Sequence, residues 1–297
     1  MMIKDLIEYR RAYKNWIKVI YYYKIKKARL VTIELRNGEK LTVPKEIVYF
    51  IKMLINKEKF CRNFHFQFDL SSEVFTFPYH GKYIRMKFYS DNKFNGEFAS
   101  FLGDYDFLQP IAGNTIIDIG MNIADSAVSF AIDKASLVIG LEPYKYSYEM
   151  ALTNIEINNL KGKIIPLHAG YGRDGTIEVE DKVSDVGTVL EEYKGGMKIP
   201  LFSLSKLLEE YRNNISGELL LKMDCEGCEY NILKENKEIL RQFKRILIEY
   251  HNGYERLKKY LEECGFMCSF TEPHKWYDET TKRNLVQGYL YAKLSEK

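Results

Sequence analysis

The chain has 297 residues, 46% hydrophobic and 29% charged, a balance that fills a core and excludes both a minimal module and a disordered segment. No apolar run reaches the roughly 18 residues of a membrane-spanning helix, and the charged start (Lys4, Asp5) predicts no secretory leader, which places the expectation in the cytoplasm. The net charge of +3 is unevenly spread: residues 1–60 hold 15 Lys and Arg against 6 Asp and Glu, a balance of +9, leaving −6 for the remainder.

In chain order, residues 3–27 read as one amphipathic helix: Ile3, Leu6, Ile7, Tyr13, Trp16, Ile17 and Ile20 fall near helical spacing, and Arg10, Lys14 and Lys18 share another face. That basic helix has two readings: a packed helix, also a candidate homodimer contact, with a solvated basic face, or a surface for an anionic partner such as a membrane. Residues 29–43 read as a hairpin turning at Asn37-Gly38, followed by a helix over 45–56 and short strands near 66–68, 74–77 and 83–88, punctuated by Gly81 and Gly96.

From residue 114 the pattern becomes strand–helix alternation. Strands are predicted at 115–119, 137–141, 164–168, 218–223 and 245–250, and helices at 124–134, 144–158, 203–213, 228–237 and 253–264. Such alternation predicts a parallel sheet covered on both faces. Segments 266–270 and 286–293 close the chain as an antiparallel pair at one sheet edge. Residues 171–202, with Gly172, Gly175, Gly187, Gly195 and Gly196, interrupt the alternation as an acceptor-side lid or a plain surface excursion. The chain thus divides into an α+β region, 1–105, and an α/β domain, 106–297.

Four strand ends carry candidate chemistry. In NTIIDIGMNIADSAVSFA, a strand ends in Asp118 and turns at Gly120 and Asn122 into a helix near Ala124. Ligands of open α/β sheets bind at such carboxyl ends. Gly120 permits close backbone approach, while Asp118 either accepts from an ammonium group or organises the turn. In LVIGLEPY, Glu142 ends the next strand, placed for ribose hydroxyls. NAD and S-adenosylmethionine both carry such a ribose, but the pyrophosphate fingerprint is missing, because Asn122 stands where its second glycine belongs. In LLLKMDCEGCEYNIL, a strand runs into Asp224, Glu226 and Glu229, carboxylates costly to gather at a sheet mouth without work to do. In ILIEYHNG, Glu249 and His251 end the neighbouring strand; His251 reads either as a general base oriented by carboxylates or as a structural histidine.

The segments DIGMNIADS, GLEPY, LLKMDCEGCEYNIL and ILIEYHNG, in this order, resemble the FkbM family of S-adenosylmethionine-dependent methyltransferases over residues 95–293. The resemblance implies the class I methyltransferase Rossmann-like fold, with a mostly parallel seven-stranded sheet and an antiparallel C-terminal strand. It implies O-methylation of a hydroxyl on a sugar, glycan or small metabolite. It also implies that Asp118, Gly120 and Asn122 line the methionine side of the cofactor, that Glu142 holds the ribose, and that His168, Ala169 and Gly170 lie near the adenine. Asp224 is assigned to both the cofactor and the catalytic set, and the proton of the acceptor hydroxyl is expected to pass to His251, Asp224 or Glu226. Ala124 and Met121 depart from the family's usual glycine and small residue, which keeps a catalytically silent binding protein among the alternatives.

An NAD-dependent dehydrogenase is disfavoured by the missing fingerprint. A nucleic-acid methyltransferase, suggested by the basic first 60 residues, lacks the N/D-P-P-Y/F motif of base amino-methylation. Cys61, Cys225, Cys228, Cys264 and Cys268, an odd number without a leader, predict mostly reduced thiols. A zinc site from the last four is disfavoured, because Cys225 and Cys228 belong to the methyltransferase motif; small buried residues or a disulfide are the preferred readings. No metal signature is strong enough to assign an ion.

Overall fold

The computed structural model describes residues 3–57, 65–88, 99–180, 194–278 and 283–295. Cys61, Gly96 and Gly187 fall outside them. The chain divides into two compact units, Met1–Gly103 and Asp104–Lys297.

The first unit runs α1 (Ile3–Ala12), α2 (Trp16–Ile20) continuing into a wide turn (Tyr21–Ile25), β1 (Leu30–Glu34), β2 (Lys40–Pro44), α3 (Lys45–Lys57), β3 (Gln67–Asp69), β4 (Val74–Tyr79), β5 (Lys82–Lys87) and α4 (Ala99–Leu102). The single helix expected over 3–27 is broken at 13–15, because the edge of β1 captures the backbone there. Tyr13 bridges to Leu35, and the Asn15 side chain accepts from the Glu34 N–H at 2.8 Å and donates to the Thr32 carbonyl at 3.0 Å. Arg10, Lys14 and Lys18 therefore do not share one helical face. The hairpin forms as expected: β1 and β2 pair antiparallel around Gly38, whose φ is +97°. Lys52 on α3 is buried against Asp5 (2.8 Å) and Glu8 (3.0 Å) of α1.

The second unit contains β6 (Thr115–Ile119), α5 (Asp125–Ile132), β7 (Leu137–Glu142), α6 (Lys145–Ile157), β8 (Ile164–His168), β9 (Gly170–Tyr171), β10 (Gly175–Val179), β11 (Met197–Phe202), α7 (Leu204–Glu210), β12 (Leu219–Met223), α8 (Lys237–Leu240), β13 (Phe243–Tyr250), α9 (Glu255–Glu263), β14 (Phe266–Phe270), β15 (His274–Asp278) and β16 (Arg283–Leu294). The main sheet has the order β14-β16-β13-β12-β6-β7-β8, with β15 pairing β16 off this path. The five central strands are parallel, and β16 and β14 are antiparallel. β6 and β12 are wholly buried, as their apolar runs require. The chain winds from β6 outward to β8, then returns to the other side of β6 at β12. The switch point, where a crevice opens beyond the strand ends, therefore lies between β6 and β12.

The helix expected over 228–237 is instead a tight helical turn, Cys228–Lys234, separated from α8. Gly227 at φ +112° sets its start, extended Glu235 ends it, and the Asn236 side chain caps α8 by accepting from the Glu238 N–H at 2.9 Å. Segment 171–202 carries a small sheet of its own, ordered β10-β11-β9. Among the described residues no helix is long and apolar enough to cross a membrane.

Candidate active site

The turn after β6 is locked from below. Asp118 is fully buried; Ser126 Oγ donates to its Oδ2 at 2.6 Å, and Lys222 Nζ lies 3.0 Å from its Oδ1. Oδ1 makes no hydrogen bond of good geometry, so the Lys222 charge is its partner. Of the two roles open to Asp118, the structure supports organising the turn: the ammonium it meets is that of Lys222, which also donates to the Gly120 carbonyl at 2.7 Å. Burial raises the Asp118 carboxyl, with Lys222 and Ser126 pulling it back. Burial works to lower the Lys222 ammonium, but the charges of Asp118 and Asp224 outweigh it and leave the group raised.

Gly120 sits at φ +78°, and a Cβ there would lie 1.8 Å from the Asp224 carbonyl oxygen. No side chain fits, so the turns after β6 and β12 touch backbone to backbone. Asn122 (φ +49°) and Ala124 (φ +66°) are also left-handed, a conformation costing a non-glycine residue about 1–2 kcal/mol. Met121 is buried and packs over Gly140 of β7, where a Cβ would meet its sulfur at 2.3 Å. The absence of a side chain at Gly140 therefore accommodates the methionine.

Glu142 closes the same turn. Its Oε2 accepts from the Asn122 N–H at 2.9 Å and its Oε1 from the Tyr144 N–H at 2.8 Å. Burial pushes its carboxyl up to about 7, against those two donors and the Lys222 charge. Each carboxylate oxygen takes two hydrogen bonds, so capacity for a ribose diol remains. His168 is the register partner of Glu142, and Ala169 donates to the Glu142 carbonyl at 3.2 Å. The His168 ring stacks on Tyr148 with centroids 4.9 Å apart, its Nε2 lies 3.1 Å from the Pro143 carbonyl, and burial lowers its pKa. The predicted cofactor residues Asp118, Gly120, Asn122, Glu142, His168 and Ala169 are thus gathered at the ends of three adjacent strands.

β12 and β13 pair in parallel, which brings Asp224 and Glu226 beside Glu249 and His251. His251 Nδ1 lies 3.1 Å from Glu229 Oε1, and its Nε2 lies 3.2 Å from Glu226 Oε2. Glu229 is fully buried and clamped: its Oε1 accepts from the His251 N–H at 3.0 Å and its Oε2 from the Gly227 N–H at 2.7 Å. Tyr105 donates to Asp224 Oδ2 at 3.2 Å, and Gln287 donates to Glu249 Oε1. Burial works to lower His251, but the Glu229 hydrogen bond and the charges of Glu226, Glu229 and Asp224 lift it to about 10. Burial and the Asp224 charge raise Glu249. The imidazole therefore holds a proton at neutral pH in this arrangement. It must surrender that proton before acting as the base that its position suggested.

Sequence reasoning did not single out Lys222, Tyr105 or Gln287. Lys222 left a signal: it is a lone lysine in an apolar five-residue strand. The expectation of mostly reduced thiols is corrected in part, since Cys225 and Cys228 are joined by a disulfide while Cys264 and Cys268 are free. The first pair is bonded to itself and is not a zinc-binding pair.

A Rossmann-like sheet with a glycine turn after its first strand and an acid after its second defines the nucleoside-binding α/β class, and an antiparallel β16 beside β13 sets it apart from dinucleotide folds. The family model described as the methyltransferase FkbM domain matches residues 118–268, half of the chain, and the protein belongs to that family. It is an S-adenosylmethionine-dependent methyltransferase. No match is found among curated proteins. Similar solved structures include a putative tRNA (m1A22) methyltransferase from Streptococcus pneumoniae (15% identity, 65% of this chain and 70% of that one, TM-score 0.37). They also include an O-methyltransferase from Bacillus cereus (12% identity, 67% and 80%, TM-score 0.37). A precorrin-6y C5,15-methyltransferase from Geobacter metallireducens is a third (12% identity, 64% and 85%, TM-score 0.37). Likenesses this distant carry no argument about the acceptor.

Proposed function

We propose that the protein transfers the methyl group of S-adenosylmethionine to a hydroxyl of a sugar, glycan or small metabolite. The observation that carries this reading is the acidic mouth at the ends of β12 and β13, which meets the cofactor turn where Gly120 abuts Asp224. A sulfonium methyl is already activated, so the protein's tasks are alignment of oxygen, carbon and sulfur and removal of the hydroxyl proton. Glu142 takes the ribose diol, the Gly120–Asn122 turn takes the methionine side, and His168 and Ala169 flank the base. Asp224 and Glu226 are the proton acceptors of this reading; His251, held by Glu229, orients the acceptor and the carboxylates around it. Carboxylates suit a hydroxyl, whose proton leaves as the new C–O bond forms.

The test is incubation with methyl-13C-labelled S-adenosylmethionine and panels of hydroxyl and amine acceptors, read by the 13C shift of the product methyl. The expected product is a methyl ether, lost in Asp224→Asn. A product carrying the label on nitrogen would overturn the reading.

A further inference from the structure

Methyl transfer alone leaves one feature of the mouth unexplained: His251 Nε2 is buried and makes no hydrogen bond. The residue is 4% exposed, and Glu226 Oε2, although 3.2 Å away, stands outside hydrogen-bond geometry. The other ring nitrogen is fixed. Glu229, itself clamped by two backbone N–H groups, lies 3.1 Å from Nδ1 and holds its proton there. A carboxylate on one imidazole nitrogen sets the tautomer and turns the lone pair of the other toward whatever the site binds.

We propose that Asp224, Glu249 and His251 bind a divalent transition-metal ion, with His251 Nε2 as its nitrogen ligand. One ligand atom from each of the three lies within 4.8 Å of the others. Two ligands of one ion with bonds of about 2.0–2.4 Å stand at most roughly 4–4.8 Å apart, and the three atoms keep within that limit. The scaffold is rigid. Asp224 follows β12, Glu249 lies in the adjacent β13, and His251 is two residues further on the same side. Each carboxylate is oriented from behind, Asp224 by the Tyr105 hydroxyl and Glu249 by the Gln287 amide.

Charge points the same way. Asp224, Glu226, Glu229 and Glu249 converge on one imidazole, and the nearest buried ammonium, Lys222, is paired with Asp118. Among the described residues four carboxylates gather around one imidazole, with the Lys222 charge shared between Asp118 and Asp224; such a group is expensive to hold at a half-buried mouth, and a dication offsets it. The donor set of two carboxylates and an imidazole favours Mn2+ or Zn2+ over Ca2+, which seeks an all-oxygen shell. Resting on the methyltransferase reading, the ion would receive the acceptor hydroxyl and acidify it, and would take the place of the proton on His251.

The test titrates MnCl2 into the EDTA-treated, dialysed full chain, by calorimetry and by loss of the free-Mn2+ electron paramagnetic resonance signal. S-adenosylhomocysteine binding is measured on the same samples as a check of folding. One Mn2+ per chain is expected, displaced by Zn2+, with affinity reduced more than roughly tenfold in His251→Gln and in Glu249→Gln. The surface variant Glu238→Gln should bind as the parent does. Absence of a Mn2+ site, or a site unchanged in both mouth variants while S-adenosylhomocysteine still binds, overturns the proposal. Mn2+ binding with the expected variant pattern but without methyl transfer to any hydroxyl supports the ion site and overturns only the acceptor reading.

Discussion

At the scale of single residues, Glu142 is where burial and function meet. A carboxyl raised to about 7 contributes stability below the ordinary carboxylate range, and that contribution is lost as pH rises through 7. With no ligand bound, ionising it costs on the order of 3 kcal/mol. On the proposed reading, ribose hydroxyls would compensate the ionised form, and cofactor and proton would oppose each other at this side chain. Affinity for S-adenosylhomocysteine should therefore rise between pH 6 and 8. Glu142→Gln should bind roughly tenfold or more weakly at pH 8 and lose that slope. Calorimetry across the range checks both; an unchanged slope in the variant would remove Glu142 from the ribose site. The two departures from the family pattern have local accounts. Met121 fills the space over Gly140, and Ala124 accepts a left-handed backbone at a modest cost.

At the scale of elements, β6 and β12 are joined by the buried Asp118–Lys222 pair. Removing one partner of such a pair strands the other charge, at a cost of about 3–5 kcal/mol. Lys222→Met should lose that much in denaturant unfolding, and adding Asp118→Asn should recover a large part of it; a double variant whose loss is the sum of the two single losses would mean that the pair carries no coupling. The strands were readable because β6, β7 and β12 are mostly apolar runs with an acid at or beside the end, the pattern of a sheet buried on both faces. The break at 13–15 was not, because its cause is the edge of β1, some twenty residues along the chain. Lys222 was overlooked although its apolar strand marked it, because the carboxylate that pairs with it, Asp118, lies far away in the sequence and is brought to it only by the sheet. His251 was located by its strand end, but its protonation depends on three carboxylates, Asp224, Glu226 and Glu229, that follow the neighbouring strand and that only the fold brings to it.

At the scale of the whole molecule, charge and chemistry are divided along the chain. The excess of basic residues lies in the first 60, while the acids of the mouth lie in the unit Asp104–Lys297. The family match falls within that second unit, as do all the candidate cofactor residues. The central claim is that this unit receives S-adenosylmethionine across the Gly120 turn and Glu142, on a sheet that resembles a dinucleotide fold but lacks its pyrophosphate turn. The most direct measurement is calorimetric titration of the full chain with S-adenosylhomocysteine, beside NADH. The account predicts one S-adenosylhomocysteine bound per chain and no NADH; binding of NADH, or of neither ligand, would contradict it.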